Sequence, residues 1–119
     1  MFKVIIAGSR SFNQYDLIKA KLDFYFSNRL PAVEIVSGTV RGADVLGEHY
    51  AKEHNLKVKK FLANWDLYGK RAGIIRNEQM AKEADALVAF WDGHSSGTKH
   101  IIDKMKKMEK PVRIVLFTL

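Results

Sequence analysis

The stretch Ala86-Leu87-Val88-Ala89-Phe90-Trp91-Asp92-Gly93-His94-Ser95-Ser96-Gly97-Thr98 decides the fold. Its first six residues are apolar without alternation, the pattern of a strand covered on both faces of a parallel sheet. A turn bearing Gly93 and Gly97 follows at once, and a lysine-rich helical segment, Gly97 to Glu109, follows the turn. The same punctuation recurs upstream. Lys3 to Ala7 leads into Gly8-Ser9-Arg10. Val33 to Val36 leads into Ser37-Gly38-Thr39-Val40-Arg41-Gly42-Ala43-Asp44. Lys57 to Leu62 precedes Gly69-Lys70-Arg71-Ala72-Gly73.

Helices fill the intervals. Tyr15, Ile18, Leu22, Tyr25 and Phe26 repeat at helical spacing between Tyr15 and Asn28, with Asn13 as a candidate cap. A second helix starts near Gly42 and carries Ala43, Leu46, Tyr50 and Ala51 on one face. A third runs from Arg71 to Glu83. Pro31 breaks the chain before the second strand, and Pro111 separates the last helix from a fifth strand, Val112 to Phe117. Alternating strands and helices predict an α/β fold. Right-handed crossovers then favour a single Rossmann-like doubly wound domain over residues 1–119, with a five-stranded parallel sheet in order 3-2-1-4-5 and helices on both faces. Its switch point falls between the ends of strands one and four, where Gly8-Ser9-Arg10 and Asp92-Gly93 emerge.

The chain has 119 residues, 47% of them hydrophobic and 28% charged, enough for one real core. It has no cysteine, which excludes a disulfide framework and a thiolate site. No apolar run is long enough to cross a bilayer, and Met1 to Ala7 lacks a cleavage-site pattern. A cytoplasmic protein without membrane contact is expected. The four histidines have no strong metal-ligand spacing, so neither a metal nor another cofactor is expected. No G-x-S-x-G elbow supports a serine triad. The formal charge is +7 with a pI near 9.7, which suits nucleotides, nucleic acid or another polyanion. Much of the excess lies in Lys57, Lys59 and Lys60 and in Lys99, Lys104, Lys106, Lys107 and Lys110. These lysines read first as solvated faces of a strand and a helix, with a nucleic-acid surface as the alternative.

In this topology the glycine turns share the C-terminal edge of the sheet, where backbone N–H groups and helix N-termini suit a phosphate. Gly93 and Gly97 allow close backbone approach, and Ser96 and Thr98 offer hydroxyls for a cap or an anion. Asp44, in the first turn of a helix, complements the dipole or bonds a ribose hydroxyl. Arg10, Arg41, Lys70, Arg71 and Arg76 are the nearby cations, and Arg can grip phosphate through two N–H groups. Trp65 and Trp91 are candidates for stacking on a base, or for a core or lid role. No turn matches the P-loop or the G-x-G-x-x-G fingerprint. Tyr25, Phe26, Phe117 and Leu119 are candidates for a dimer patch in a homo-oligomer, or for core packing.

These motifs together resemble a known family. Ile5 to Phe12, Val36-Ser37-Gly38 with Arg41 to Asp44, Gly69 to Gly73 with Arg76-Asn77, and Phe90 to Gly93 with Ser96 to Thr98 are similar to the YspA-like branch of the SLOG superfamily. That superfamily includes the DNA-processing Smf proteins and the Lonely Guy enzymes. The resemblance covers nearly the whole chain. It implies a Rossmann-like sheet and a bacterial or phage protein that senses or processes a nucleotide or nucleotide-derived ligand. It also implies two alternatives, cleavage of a nucleoside monophosphate N-glycosidic bond and binding of nucleic acid. The expected ligand-binding residues are Gly8, Ser9, Arg10, Gly38, Thr39, Arg41, Gly42, Asp44, Lys70, Arg76, Asn77, Asp92, Gly93, Ser96, Gly97 and Thr98. For a hydrolase, Asp44, Glu48 and Asp92 are the candidate catalytic carboxylates. Two departures stand out. The family pattern Ser-Gly-Gly-Ala-Arg-Gly-Ala-Asp has Thr39-Val40 in place of its Gly-Ala here. The glutamate that follows Gly-Thr in Lonely Guy enzymes is absent, since Gly97-Thr98 runs into Lys99-His100-Ile101-Ile102.

Overall fold

A computed structural model of the chain describes residues 1–30 and 32–118. The break assigned to Pro31 and the patch role of Leu119 lie outside the described residues. Five parallel strands, β1 (Phe2–Gly8), β2 (Val33–Ser37), β3 (Lys57–Lys60), β4 (Ala86–Trp91) and β5 (Val112–Leu116), form one sheet in the order β3-β2-β1-β4-β5. This is the doubly wound order expected from the sequence. The helices are α1 (Tyr15–Tyr25), α2 (Ala43–Glu53), α3 (Trp65–Tyr68), α4 (Ala72–Glu83) and α5 (Ser96–Lys107).

Side-chain alternation along the central strands sorts the helices. Val4 and Ile6 of β1 and Ala86, Val88 and Phe90 of β4 point to one side, where Ile18 and Leu22 of α1 and Tyr50 and Ala51 of α2 meet them. Ile5, Ala7, Leu87 and Ala89 point to the other, against Met80 and Ala81 of α4 and Ile101, Ile102 and Met105 of α5. Both faces of β1 and β4 are therefore dry, which is why these strands read as unbroken apolar runs. Helix α2 approaches the sheet closely because Gly47 leaves room for Ile6; a Cβ there would lie 2.8 Å from that of Ile6.

Local departures have physical causes. Helix α1 stops at Tyr25, and Asn13 does not cap it; the residue ahead of the helix is Gln14, whose side chain makes no cap bond. Strand β3 ends at Lys60, short of Leu62. The third expected helix is preceded by α3 and by a 3-10 turn, Gly69–Arg71, so the Gly69–Gly73 stretch is helical rather than a loop after a strand. Asn64 starts this segment by accepting the Leu67 N–H at 3.0 Å. Phe26 and Phe117 are buried in the core, and Tyr25 packs against the same cluster. They are core rather than an exposed patch. Several lysines are paired: Lys59 with Glu83, Lys60 with Glu48, Lys99 with Asp103 and Lys104 with Glu78. Lys110 donates to the carbonyls of Ala81, Lys82 and Ala84 at the end of α4. Among the described residues no helix is long and apolar enough to cross a membrane.

Candidate functional site

The C-terminal ends of β1, β2 and β4 open onto one edge, and a cleft of about 380 Å³ lies there. Arg10, Gly38, Thr39, Val40, Arg41, Leu62, Ala63, Trp65 and Arg76 line it. Arg10 comes from the turn after β1, Gly38 to Arg41 from the turn after β2, and Arg76 from the start of α4. None of the three arginines forms an ion pair among the described residues. Arg76 donates to the Gly38 carbonyl at 3.2 Å, which fixes its head against the floor of the cleft. Its burial lowers its pKa from the usual guanidinium value, and Arg10 nearby adds to that, while Asp44 opposes it. Trp65 is 55% exposed and rests its ring edge near Gly73. The cleft lining contains no Asp or Glu.

The turn after β2 is shaped by Gly38 and Asp44. A Cβ at Gly38 would lie 2.8 Å from Asp44 Oδ2 and 3.3 Å from Arg76 Nε, so any side chain there would have to displace the Asp44 carboxyl. Asp44 is 4% exposed, and its carboxylate accepts the Val40 N–H at 3.4 Å. Burial pushes its carboxyl up to about 7, against the lowering effect of backbone N–H groups and of Arg76. Thr39 adopts φ 63 and donates its hydroxyl to the Gly38 carbonyl at 2.6 Å. A β-branched residue in the left-handed region is strained. Ser37, fully buried, donates to Glu48 Oε2 at 2.6 Å and accepts the Thr39 N–H at 3.0 Å. Glu48 thus holds the turn from below.

The turn after β4 is a second structured corner. Asp92 Oδ1 accepts from the N–H groups of His94 and Ser95 and from the Ser95 hydroxyl, at 2.8, 2.8 and 2.9 Å. These donors hold its carboxyl well below the ordinary range. Ser9, 1% exposed, contacts Ser95 Oγ at 2.8 Å and accepts the Asp92 N–H at 3.0 Å, joining the β1 and β4 turns across the switch point. Trp91 donates its indole N–H to the Ser95 carbonyl and packs on the core. Asn77 reaches the Gly97 carbonyl at 3.3 Å and His100 Nδ1 at 3.2 Å. Gly93, with φ 86, and Gly97 face open space. Helix α5 begins at Ser96 with no side-chain cap, and Thr98 is buried in its first turn.

The expected site residues therefore divide. Arg10, Gly38, Thr39, Arg41 and Arg76 share the cleft. Ser9, Asn77 and Asp92 are committed to bonds that build the turns. Gly8 and Gly42 are required by packing: a Cβ at Gly8 would collide with the Phe90 carbonyl, and one at Gly42 would lie 2.9 Å from Arg10 Cα. Gly93, Ser96 and Gly97 are exposed at the start of α5. Lys70 lies exposed in the 3-10 turn outside the cleft lining. Leu62 and Ala63 join the lining although no motif marks them. Ser95, which ties two turns together, was visible only as one more hydroxyl beside Ser96.

A model of the YspA, cpYpsA-related SLOG family matches residues 2–68 of this chain. The chain belongs to that SLOG family. A phage relative extends the match through the second half: the SLOG chain is 30% identical over 118 residues to the Gene 61 protein of Mycobacterium phage D29, covering 94% of each. Among solved structures, DNA processing protein A (DprA) from Streptococcus pneumoniae shares its fold, with a TM-score of 0.79 at 15% identity. That likeness covers all of the SLOG chain and 52% of DprA, so the chain spans about half the length of that protein.

Proposed function

We propose that residues 1–119 act as one cytoplasmic SLOG domain that binds a nucleotide or nucleotide-derived ligand at the C-terminal edge of the sheet. The observation that carries this reading is the cleft with three guanidinium groups, none within ion-pair distance of a carboxylate among the described residues. Arg10, Arg41 and Arg76 would hold phosphate oxygens, with the Gly38–Gly42 backbone beside them. Trp65 and Leu62 would give an apolar wall for a base. The N–H groups at Ser96 and Gly97, with Gly93 ahead of them, would donate to a second anionic group. Ser9, Asp44, Asn77 and Asp92 would support these contacts rather than make them, and Lys70 would add to the field. The volume falls within the range of small-molecule pockets, roughly 300–1,000 Å³.

The lining favours binding over hydrolysis. N-glycosidic cleavage calls for a carboxylate at the reacting centre. Asp44 is buried beneath the turn, Glu48 is held by Ser37 and Lys60, and Asp92 Oδ1 already has three donors. A nucleic-acid ligand draws on the name of DprA and on the same arginines.

The test is a thermal-shift panel of nucleoside mono-, di- and triphosphates, ADP-ribose, NAD, cyclic nucleotides and a short single-stranded DNA. Native-state binding raises the melting temperature. A rise with one nucleotide class, lost in Arg10→Ala and Arg76→Ala, is expected. Equal rises in wild type and both variants would overturn the site. A response confined to DNA and falling steeply with salt would move the reading to nucleic acid.

A further inference from the structure

We propose that β5 pairs antiparallel with β5 of a second copy of this chain, joining two five-stranded sheets into one of ten strands. The hydrogen-bond pattern of the edge comes first. Leu87 donates its N–H to the Pro111 carbonyl, and Phe117 donates to the Trp91 carbonyl, in the register Leu87↔Val112 to Trp91↔Leu116. In a parallel ladder this phase turns the N–H and C=O groups of Arg113 and Val115 toward β4. Those of Val112, Ile114 and Leu116 point away from the sheet, to the open edge, where the Val112 carbonyl also accepts from Arg113 Nη1 at 3.5 Å. The same three residues share one side-chain face, on which Ile114 is 38% and Leu116 68% exposed.

The two edges of the sheet differ. Strand β3 carries Lys57, Lys59 and Lys60, all exposed, and lysine on an edge discourages pairing. Strand β5 carries one charge, Arg113, on the opposite face from Ile114 and Leu116. Pairing of β3 with β3 would bring lysines together. Pairing of β3 with β5 would leave an edge free at each end and grow without closing. Pairing of β5 with β5 closes a two-fold dimer and leaves only the lysine edges outside.

The register follows from the free groups. With Ile114 opposite Ile114, Val112 faces Leu116 and Leu116 faces Val112. All the outward groups of the three residues then find partners, and every pair on that face is apolar. Arg113 stands opposite Val115. A shift by two residues toward the N-terminus would set Arg113 directly against Arg113 and lose two hydrogen bonds. The self-complementary register therefore satisfies the most backbone groups and keeps like charges apart.

Single-cysteine crosslinking tests this, because the chain has no cysteine of its own. Directly opposed residues of an antiparallel pair have Cα atoms about 4.5–5.5 Å apart, within reach of a disulfide. Ile114→Cys is expected to form a disulfide-linked dimer under mild oxidation. Arg113→Cys is expected to form no disulfide-linked dimer, since its copies sit diagonally at roughly 8 Å by strand geometry. Sedimentation of the wild type should give a dimer, and Leu116→Lys should give a monomer with an unchanged circular-dichroism spectrum. A monomeric wild type at several hundred micromolar would overturn the proposal. So would equal crosslinking of both cysteine variants, or a dimer that survives Leu116→Lys.

Discussion

Replacing Asp44 with asparagine should remove part of the pH dependence of this protein's stability. A carboxyl buried under Gly38 and Val40, with its pKa pushed up to about 7, is held preferentially in its neutral form. In the unfolded chain the same group ionises near 3.8. The sign follows: the folded state binds this proton more tightly. Its stabilising effect is complete below the unfolded value and is lost as pH climbs to about 7. At 1.36 kcal/mol per pH unit the full loss is about 4 kcal/mol, of which about 3 falls between pH 5 and pH 8. Asparagine cannot ionise. Its amide can turn an oxygen to the Val40 N–H, so any packing cost it carries is the same at every pH. Urea denaturation of both proteins at pH 5, 6, 7 and 8 reads the difference directly, and all other carboxylates cancel in the comparison. The gap should move in favour of Asp44→Asn by roughly 3 kcal/mol across that range. Parallel curves for the two proteins would refute the argument and show that water or Arg76 neutralises the buried charge.

Three further outcomes are expected. Gly8→Ala should cost about 3 kcal/mol or more, because its methyl group would meet the Phe90 backbone with nowhere to move, and denaturant melts measure this. Gly97→Ala faces open space at the start of α5 and should be neutral or stabilising by up to about 1 kcal/mol in the same assay. Tyr50→Phe removes the hydroxyl that donates to Asp23 at 2.8 Å and should lower stability by about 1–2 kcal/mol, with the spectrum of the folded state unchanged.

The sheet was legible because its central strands are dry on both sides. Ala86 to Trp91 and Val4 to Ala7 could be little else in a chain punctuated by helices. The segment after β3 was not legible in the same way. None of the residues in α3 or the 3-10 turn is buried, so no apolar period marks them. The one available signal was Asn64, a residue suited to capping, just ahead of Trp65-Asp66-Leu67-Tyr68. At the site, the turns could be located but not their internal bonds. Spacing shows that Ser9 and Asp92 emerge at the same edge. It does not show that Ser9 accepts the Asp92 N–H, or that Asp92 curls back on Ser95. The glycines illustrate the same limit. Gly8 and Gly93 look alike in sequence, yet one is wedged against a neighbouring strand and the other stands in the open. That difference depends on which strands are neighbours, and strand neighbours are separated by dozens of residues.

The place of β1 at the centre of the sheet has a consequence for how the chain is made. Its partner β2 is complete at Ser37, but its other partner, β4, is complete only at Trp91. At about 5–20 residues per second, translation takes roughly 3 to 10 s to cover that interval. Until β4 has been made, Val4, Ile5, Ile6 and Ala7 have no partner strand on that side. Closing the later contact also spans a loop about three times longer, at an added entropic cost of about 1 kcal/mol. The future middle of the protein is thus, for its first seconds, an exposed margin where a chaperone or a neighbouring nascent chain can gain access.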